Sequence, residues 1–232
     1  MTFEELTAKC AEKNIVISPE MNTLFEAYLS LLQEWNQKIN LTAITETGGI
    51  IEKHFYDCIL PLTVKEIHGK VADVGSGAGF PGIVWKIVRP DLDVTLIEPT
   101  GKRCTFLNEV IDQLHLKNIR VVNERAEDHA KNHREEYDVV TARAVANLRI
   151  LSELCVPLVK VNGLFIAMKG MHGEEEAADS QHAMKELGAV QESSQETSLE
   201  NGDHRVNLFY RKANETPSRY PRNYGQIKKK PL

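Results

Sequence analysis

The sequence has little of what marks a membrane, secreted or metal-binding protein. No apolar run approaches the ~18 residues that cross a bilayer. The first five residues include two acids and no basic residue, whereas a secretory signal begins with a basic and then an apolar stretch. Only four cysteines occur, without a CxxC pair or zinc-ligand spacing. We therefore expect a cytoplasmic protein with no membrane segment and no bound metal.

Positive charge is also scarce, but it is concentrated at one end. The 232 residues carry a formal net charge of −5 and suit one large domain or a domain with an appendage. Residues 205–232 contain eight Lys and Arg against one acid, whereas the preceding 204 residues contain 20 basic and 32 acidic ones. This asymmetry predicts an acidic body with a basic arm, and such arms commonly bind phosphate backbones.

Helix signals dominate the first third of the chain. Thr2 and Glu5 form a capping box, and Ser18-Pro19 supplies a second helix start. Apolar residues then recur at helical spacing from Leu24 to Ile39, which predicts a helix packed on a core. A third helix is predicted over about 50–62, after the Gly48-Gly49 break.

From residue 70 onward, short apolar runs alternate with amphipathic segments, a pattern typical of βαβ units. Strands are predicted near 70–74, 93–98, 119–123, 137–142, 163–168, 189–193 and 205–211, and helices near 81–89, 101–114, 127–133, 147–158 and 174–187. Because no helix separates the last two strands, they should form an antiparallel hairpin. We predict an α/β, Rossmann-like fold with a seven-stranded, mostly parallel sheet, an antiparallel closing strand and an N-terminal helical extension. The predicted boundaries are 1–68 for the extension, 69–212 for the core and 213–232 for the tail.

A glycine-rich loop, Asp73-Val74-Gly75-Ser76-Gly77-Ala78-Gly79, follows the first predicted strand. Glycines in such a turn let the backbone approach a nucleotide-like ligand because no Cβ intervenes. The spacing Gly77-x-Gly79-x-x-Gly82 also satisfies the dinucleotide fingerprint, so NAD or FAD remains an alternative. The glycines also fit a turn that only permits tight packing.

Two neighbours of the loop favour S-adenosylmethionine, and a third suits the ribose of either cofactor. Asp73 would repel a pyrophosphate, yet it is placed to interact with a methionine moiety directly or through water. Pro81 removes an N–H group that a pyrophosphate would use at the start of the next helix. Glu98, at the end of the second strand, suits ribose hydroxyls of either cofactor, or it is a solvated loop acid. We therefore predict a class I S-adenosylmethionine-dependent methyltransferase.

Further polar residues follow later strands. Ala126 and Glu127 are placed to meet an adenine ring, or they simply begin a helix. Arg143 ends a central strand, where it is expected to hold cofactor, base edge or phosphate, unless it forms a surface salt bridge. His54 and Asp57 lie one turn apart and suit either an RNA site or a packed, hydrogen-bonded histidine. We leave both out of the predicted catalytic residues, which stay unassigned.

Several motifs together resemble the bacterial RsmG (GidB) family of 16S ribosomal RNA guanine-N7 methyltransferases. The resemblance covers nearly the whole chain and lies in residues 34–42, 54–57, 73–82, 102–103, 137–145 and the Tyr220-Pro221-Arg222 tail. It implies S-adenosylmethionine as cofactor, S-adenosylhomocysteine as product, and cofactor contacts at Gly75, Phe80, Ala126, Glu127 and Arg143. It also implies a monomer that methylates a guanine in the 530 loop of 16S rRNA or of the small ribosomal subunit. Ile227 stands where the family pattern often has proline.

The chemistry of guanine N7 agrees with the absence of amine and thiolate motifs. N7 has an in-plane lone pair and no proton to lose, so in-line placement matters more than a general base. Where amino-methylating enzymes carry Asn/Asp-Pro-Pro-aromatic, this chain has Thr141-Ala142-Arg143-Ala144. Cys155 lies in a helical pattern, unlike the thiolate of pyrimidine-C5 methylation.

The basic tail interleaves cations with tyrosines, a mixture suited to phosphates and stacked bases. The predicted RNA contacts are Arg143, Arg211, Lys212, Arg219, Arg222, Lys228 and Lys229. A solvated C-terminus is the alternative for the tail. For the whole chain, the alternatives are a protein or small-molecule methyltransferase, an NAD-binding oxidoreductase and a nucleotide-binding regulatory module.

Overall fold

The computed structural model describes all residues, 1–232, as one α/β fold. The strands are β1 (Lys70–Val74), β2 (Asp93–Ile97), β3 (Ile119–Val122), β4 (Tyr137–Arg143), β5 (Val159–Lys169), β6 (Ala189–Ser198) and β7 (His204–Lys212). The helices before β1 are α1 (Phe3–Glu12), α2 (Pro19–Asn36), α3 (Thr47–Ile50), a π-helix (Ile51–Tyr56), α4 (Asp57–Ile59) and a 3₁₀ turn (Leu60–Thr63). The later helices are α5 (Gly82–Val88), α6 (Gly101–Gln113), α7 (Ala126–His129), α8 (Leu148–Cys155), a 3₁₀ turn (Val156–Leu158), α9 (Gly173–Asp179), α10 (Gln181–Leu187) and α11 (Tyr224–Lys229).

The seven strands form one sheet in the order β3-β2-β1-β4-β5-β7-β6. Strands β1 to β5 are parallel, and β7 pairs antiparallel with both β5 and β6. The predicted closing hairpin and the seven-stranded, mostly parallel sheet are therefore confirmed. The chain order reverses beside β1, so the carboxyl ends of β1 and β4 border the crevice in which such sheets bind ligands.

Three helical predictions differ from the structure. The single helix predicted over 50–62 is a series of α, π and 3₁₀ segments. The helix predicted over 174–187 is interrupted at Ser180, between α9 and α10. Helix α11 was not predicted, although Asn223 caps it by accepting a hydrogen bond from the Gln226 N–H at 3.0 Å.

The helices before β1 share a hydrophobic core with the sheet. Phe25, Tyr28 and Phe55 are fully buried in the same cluster as Phe80 and Trp85. Burial of each such side chain stabilises the fold by about 1.5–3 kcal/mol. The Trp85 indole also donates to the Cys58 carbonyl at 2.6 Å. The helical extension is therefore packed directly behind the glycine loop.

The tail packs on the opposite face, in a second hydrophobic cluster that includes Tyr220 and Ile227. The Arg134 guanidinium donates to the carbonyls of Thr216, Pro217 and Tyr220. Ile227 is completely buried in this cluster. No helix is both long enough and apolar enough to cross a membrane.

Candidate active site

A cleft of about 500 Å³ opens at the carboxyl ends of β1, β4 and β5. The glycine loop forms its floor, and the helical extension forms one wall. Its lining residues include Thr42, Lys53, His54, Asp57, Gly75, Ser76, Gly77, Ala78, Phe80, Arg103, Arg143, Ala144, Met168, Lys169, Glu176 and Arg205. The cleft thus combines a glycine-rich backbone turn with charged side chains from several elements.

The glycine loop presents bare backbone to this cleft. Gly77 has a φ of +59°, and a Cβ placed there would have no neighbour nearer than the Gly75 carbonyl oxygen at 3.9 Å. Its N–H donates to the Glu98 carboxylate at 2.9 Å, and the other Glu98 oxygen accepts from the Thr100 N–H at 2.9 Å. Glu98 therefore joins the loop to the start of α6, and the open space beside Gly77 is available to a ligand.

Asp73 lies beneath the loop and does not line the cleft. One carboxylate oxygen accepts from the Gly82 N–H at 2.9 Å, while the other is buried without a partner. Complete burial raises the pKa of Asp73 to about 7. Its position supports the start of α5, so any interaction with a cofactor passes through the loop or a water molecule.

Arg143 is the centre of a polar cluster on the cleft wall. Its guanidinium donates to the Lys53 carbonyl at 3.0 Å, to Asp57 at 3.3 Å and to His54 Nδ1 at 3.1 Å. It also lies over the Phe80 ring, 4.8 Å from the centroid. Arg143 therefore has fixed partners and is more than a solvated surface charge.

Asp57 connects this cluster to the last strand of the sheet. Arg205 donates to the same Asp57 oxygen as Arg143, at 3.3 Å, and the second oxygen is buried without a partner. Burial raises the pKa of Asp57, and the two guanidinium groups oppose that shift. Burial and the adjacent Arg143 charge lower the pKa of His54 to about 3. His54 is therefore a neutral imidazole near pH 7.

Only some of the residues predicted from the sequence line this cleft. Gly75, Gly77, Phe80 and Arg143 line the cleft as predicted, whereas Gly79 packs away from it against Ile83 and Tyr28. Ala126 and Glu127 are buried at the start of α7, beside the end of β3, and do not line the cleft. They lie at the same sheet edge as Glu98 because β2 and β3 are parallel neighbours.

Several cleft residues were missed because they come from separate elements. Lys53, Lys169, Glu176 and Arg205 had no motif of their own. Thr42 belonged to a motif of the resemblance but was given no role, and His54 and Asp57 were left between an RNA site and a packed histidine. Only the packing of the extension against β4 and β7 brings these side chains together.

The predicted tail contacts are mostly occupied within the chain. Lys212 is 1% exposed and donates to the carbonyls of Val156 and Val159 at 2.8 and 3.1 Å, which removes it from the predicted RNA contacts. Three arginines pair with carboxylates, namely Arg211 with Glu192, Arg219 with Glu186 and Arg222 with Glu153. Lys228 and Lys229 are exposed and form no ion pair.

Known proteins match this architecture over the full chain. The family model described as GidB, rRNA small subunit methyltransferase G, matches residues 21–206. This chain belongs to that family. The ribosomal RNA small subunit methyltransferase G of Clostridium perfringens strain 13 is 45% identical over 99% of this chain and 98% of its own length. The protein of the same name from Clostridium botulinum strain Eklund 17B is 45% identical over the full length of both chains.

Solved structures agree on the fold. M. jannaschii TYW2 in complex with AdoMet has a TM-score of 0.58 at 16% identity and covers 73% of this chain and 79% of its own. At that identity the likeness concerns the fold alone, and it confirms the Rossmann-like class I methyltransferase core.

Proposed function

We propose that this chain transfers a methyl group from S-adenosylmethionine to N7 of a guanine in the 530 loop of 16S rRNA. The observation that carries the proposal is family membership, with about 45% identity over essentially the whole of both chains. Full-length similarity matters because the tail and the helical extension match together with the core.

The loop favours S-adenosylmethionine over a dinucleotide. A pyrophosphate needs free N–H groups at the start of α5. Here Pro81 has none, the Gly82 N–H is donated to Asp73, and those of Gly79 and Phe80 are donated to the Ser76 carbonyl. The oxidoreductase alternative therefore lacks its anion site.

The bound cofactor would supply an electrophilic methyl group on a sulfonium. The residues that would hold it are Gly75, Gly77, Phe80 and Arg143, which line the cleft, together with Glu98 at the loop edge. Ala126 and Glu127, which are buried beside the end of β3, would shape the adjoining edge of the site. Open space beside Gly77 and the Glu98 carboxylate at the loop edge fit such a ligand. Asp73 and Gly79 would act from beneath, by shaping the loop.

The charge of the cleft favours a nucleic acid over a protein or small molecule. Its lining includes five cationic side chains and only two carboxylates, in a chain whose formal charge is −5. The cations are Lys53, Arg103, Arg143, Lys169 and Arg205. A positive cleft on an acidic body concentrates a polyanion at the site.

The side chains at the cleft agree with a reaction that needs no general base. His54 is neutral but both ring nitrogens have partners, and Asp57 is engaged by two arginines. Guanine N7 attacks with its own lone pair and needs no base. The role left to His54 and Asp57 is to orient the two arginines and to balance their charge. The target guanine must be unstacked or in a loop because the major groove of an RNA stem is deep and narrow.

We further propose that the enzyme works as a monomer in the cytoplasm, on rRNA or on the assembling small subunit. The test incubates the protein and labelled S-adenosylmethionine with naked 16S rRNA, or with small subunits, that lack the modification. N7-methylguanine is then mapped by borohydride and aniline cleavage. Cleavage at one loop guanine is expected, and the better of the two substrates identifies the physiological one. Labelling of protein or metabolites without rRNA cleavage would reject the proposal.

A further inference from the structure

A chain of hydrogen bonds runs from the helical extension to the cleft, and it begins at Asn36. The side-chain oxygen of Asn36, Oδ1, accepts from the N–H groups of Leu41 and Thr42 at 2.7 and 2.9 Å. Its side-chain nitrogen, Nδ2, donates to the Thr42 carbonyl at 2.9 Å. All three bonds hold the loop after α2, so the backbone of Thr42 is fixed relative to that helix.

Arg143 fixes the tautomer of His54, and the Thr42 hydroxyl accepts the proton of that tautomer. Arg143 has no acceptor, so the 3.1 Å contact between its Nη2 and His54 Nδ1 requires a lone pair on Nδ1. The single proton of the neutral ring must therefore be on Nε2, which lies 2.7 Å from the Thr42 hydroxyl oxygen. The Lys53 carbonyl also lies 3.1 Å from Nδ1, but both atoms are then acceptors and do not bond to each other. The hydrogen bond that this carbonyl accepts comes from Arg143.

The π-helix makes this arrangement possible. It contains Lys53 and His54 and is followed directly by Asp57. These three residues supply every hydrogen-bond partner of the Arg143 guanidinium. π-Helical turns are rare and occur most often at functional sites. The His54 ring is also stacked on Phe80, with centroids 4.5 Å apart. Both rotations of the imidazole are thus restricted, by the stack and by Thr42.

We propose that His54 is a positioning residue for Arg143: its ring is held between Phe80 and Thr42 in the Nε2–H tautomer, and its Nδ1 lone pair aims the guanidinium into the cleft. The helical extension thereby sets the geometry of the ligand site on the sheet. The role of Arg143 toward cofactor or RNA rests on the proposed function, whereas the tautomer and its coupling to Arg143 do not.

The first test reads the tautomer directly. In protein labelled with ¹⁵N-histidine, two-bond ¹H–¹⁵N spectra should show His54 with an unprotonated Nδ1 and a protonated Nε2; its signal is assigned by its loss in His54→Phe. Arg143→Met removes the donor to Nδ1 and should allow the Nδ1–H tautomer, whose proton would go to the Lys53 carbonyl, whereas Thr42→Val removes a hydroxyl that serves either tautomer and should change the tautomer little. A protonated Nδ1 in the wild-type protein would overturn the proposal.

The second test asks whether His54 acts through Arg143. S-adenosylhomocysteine affinity is measured by calorimetry, and KM and kcat are measured with rRNA. His54→Phe and Arg143→Lys should each weaken the same step by about tenfold, the scale of one charge-assisted hydrogen bond. The double variant should be no weaker than Arg143→Lys alone.

The outcomes separate this proposal from the proposed function. Additive losses in the double variant, with all variants folded by circular dichroism, would show that His54 does not work through Arg143. If rRNA is not methylated but S-adenosylhomocysteine binding and the tautomer respond as described, the substrate assignment fails and the positioning role stands.

Discussion

Gly77 and Gly79 both have positive φ angles, of +59° and +96°, yet a side chain added at each would meet different surroundings. At Gly77 it would point into open cleft, while at Gly79 it would lie 2.5 Å from the Ile83 Cδ1 and 2.7 Å from the Tyr28 hydroxyl. We expect Gly77→Ala to lose S-adenosylhomocysteine binding at least tenfold, with about 1–2 kcal/mol of stability lost to backbone strain. Gly79→Ala should unfold more easily than Gly77→Ala. Calorimetric binding and urea denaturation measure the two effects, and unchanged affinity in Gly77→Ala would place the ligand elsewhere.

Asp73 gives a pH-dependent prediction at the same scale. Its folded pKa of about 7 lies above the usual 3.8, so between these values the folded state holds a proton that the unfolded chain releases. The stability from this group is complete below pH 3.8 and is lost as pH rises through 7. Asp73→Asn keeps an acceptor for the Gly82 N–H and cannot ionise.

The unfolding free energy of Asp73→Asn relative to wild type should therefore rise with pH across about 4 to 7, by at most about 1.4 kcal/mol per unit, and level off above. Urea denaturation at several pH values measures this difference. Parallel pH profiles for the two proteins would mean that Asp73 is ionised throughout.

At the scale of elements, local signals were sufficient for the strands but not for the helical extension. A short apolar run such as 70–74 can be buried only as a strand within the sheet, and β1 was predicted with its exact bounds. The π-helix arises because Lys53, His54 and Asp57 must all reach Arg143, 86 to 90 residues later in the chain. The pattern of apolar residues within 50–62 carries no information on these distant contacts, so it could not predict the π-helix.

The attachment of the tail is also set by a distant partner. Glu153 is completely buried and accepts from both the backbone and the guanidinium of Arg222, at distances from 2.6 to 3.2 Å. Arg222→Ala would leave that carboxylate buried without its cation, at a cost of about 3 kcal/mol, because Arg222 is itself partly exposed. We expect faster hydrogen exchange across α11 and a lower Tm. Arg219→Ala, which removes an exposed ion pair, is the control and should change little. Equal exchange in both variants would mean that Arg134, Tyr220 and Ile227 hold the tail without Arg222.

For the whole molecule, the distribution of charge along the sequence was predicted correctly. The prediction that the basic side chains of the tail are free to bind RNA was mostly wrong. The excess of basic residues after Arg205 is real, yet Arg205, Arg211, Lys212, Arg219 and Arg222 all pair with acids of the body. Which cations remain free depends on tertiary contacts that composition cannot reveal. Conversely, Lys53, Arg103 and Lys169 lie outside the basic tail and still line the cleft, where Lys53 pairs with Asp203 and Lys169 with Glu176. The cofactor loop was predictable because its residues are contiguous, whereas the rest of the site was not.

The exposed lysines at 228–230 therefore provide the clearest test of a tail that contacts RNA. Replacing all three by alanine should weaken rRNA binding and make the slope of log K against log salt concentration shallower by about 2 to 3, one contact per lysine. S-adenosylhomocysteine affinity should not change. The matched control replaces three other exposed, unpaired lysines, Lys13, Lys117 and Lys185, which alters the net charge equally. If both triple variants shift the salt dependence alike, the tail acts only through net charge, and the positive cleft itself must supply the RNA contacts.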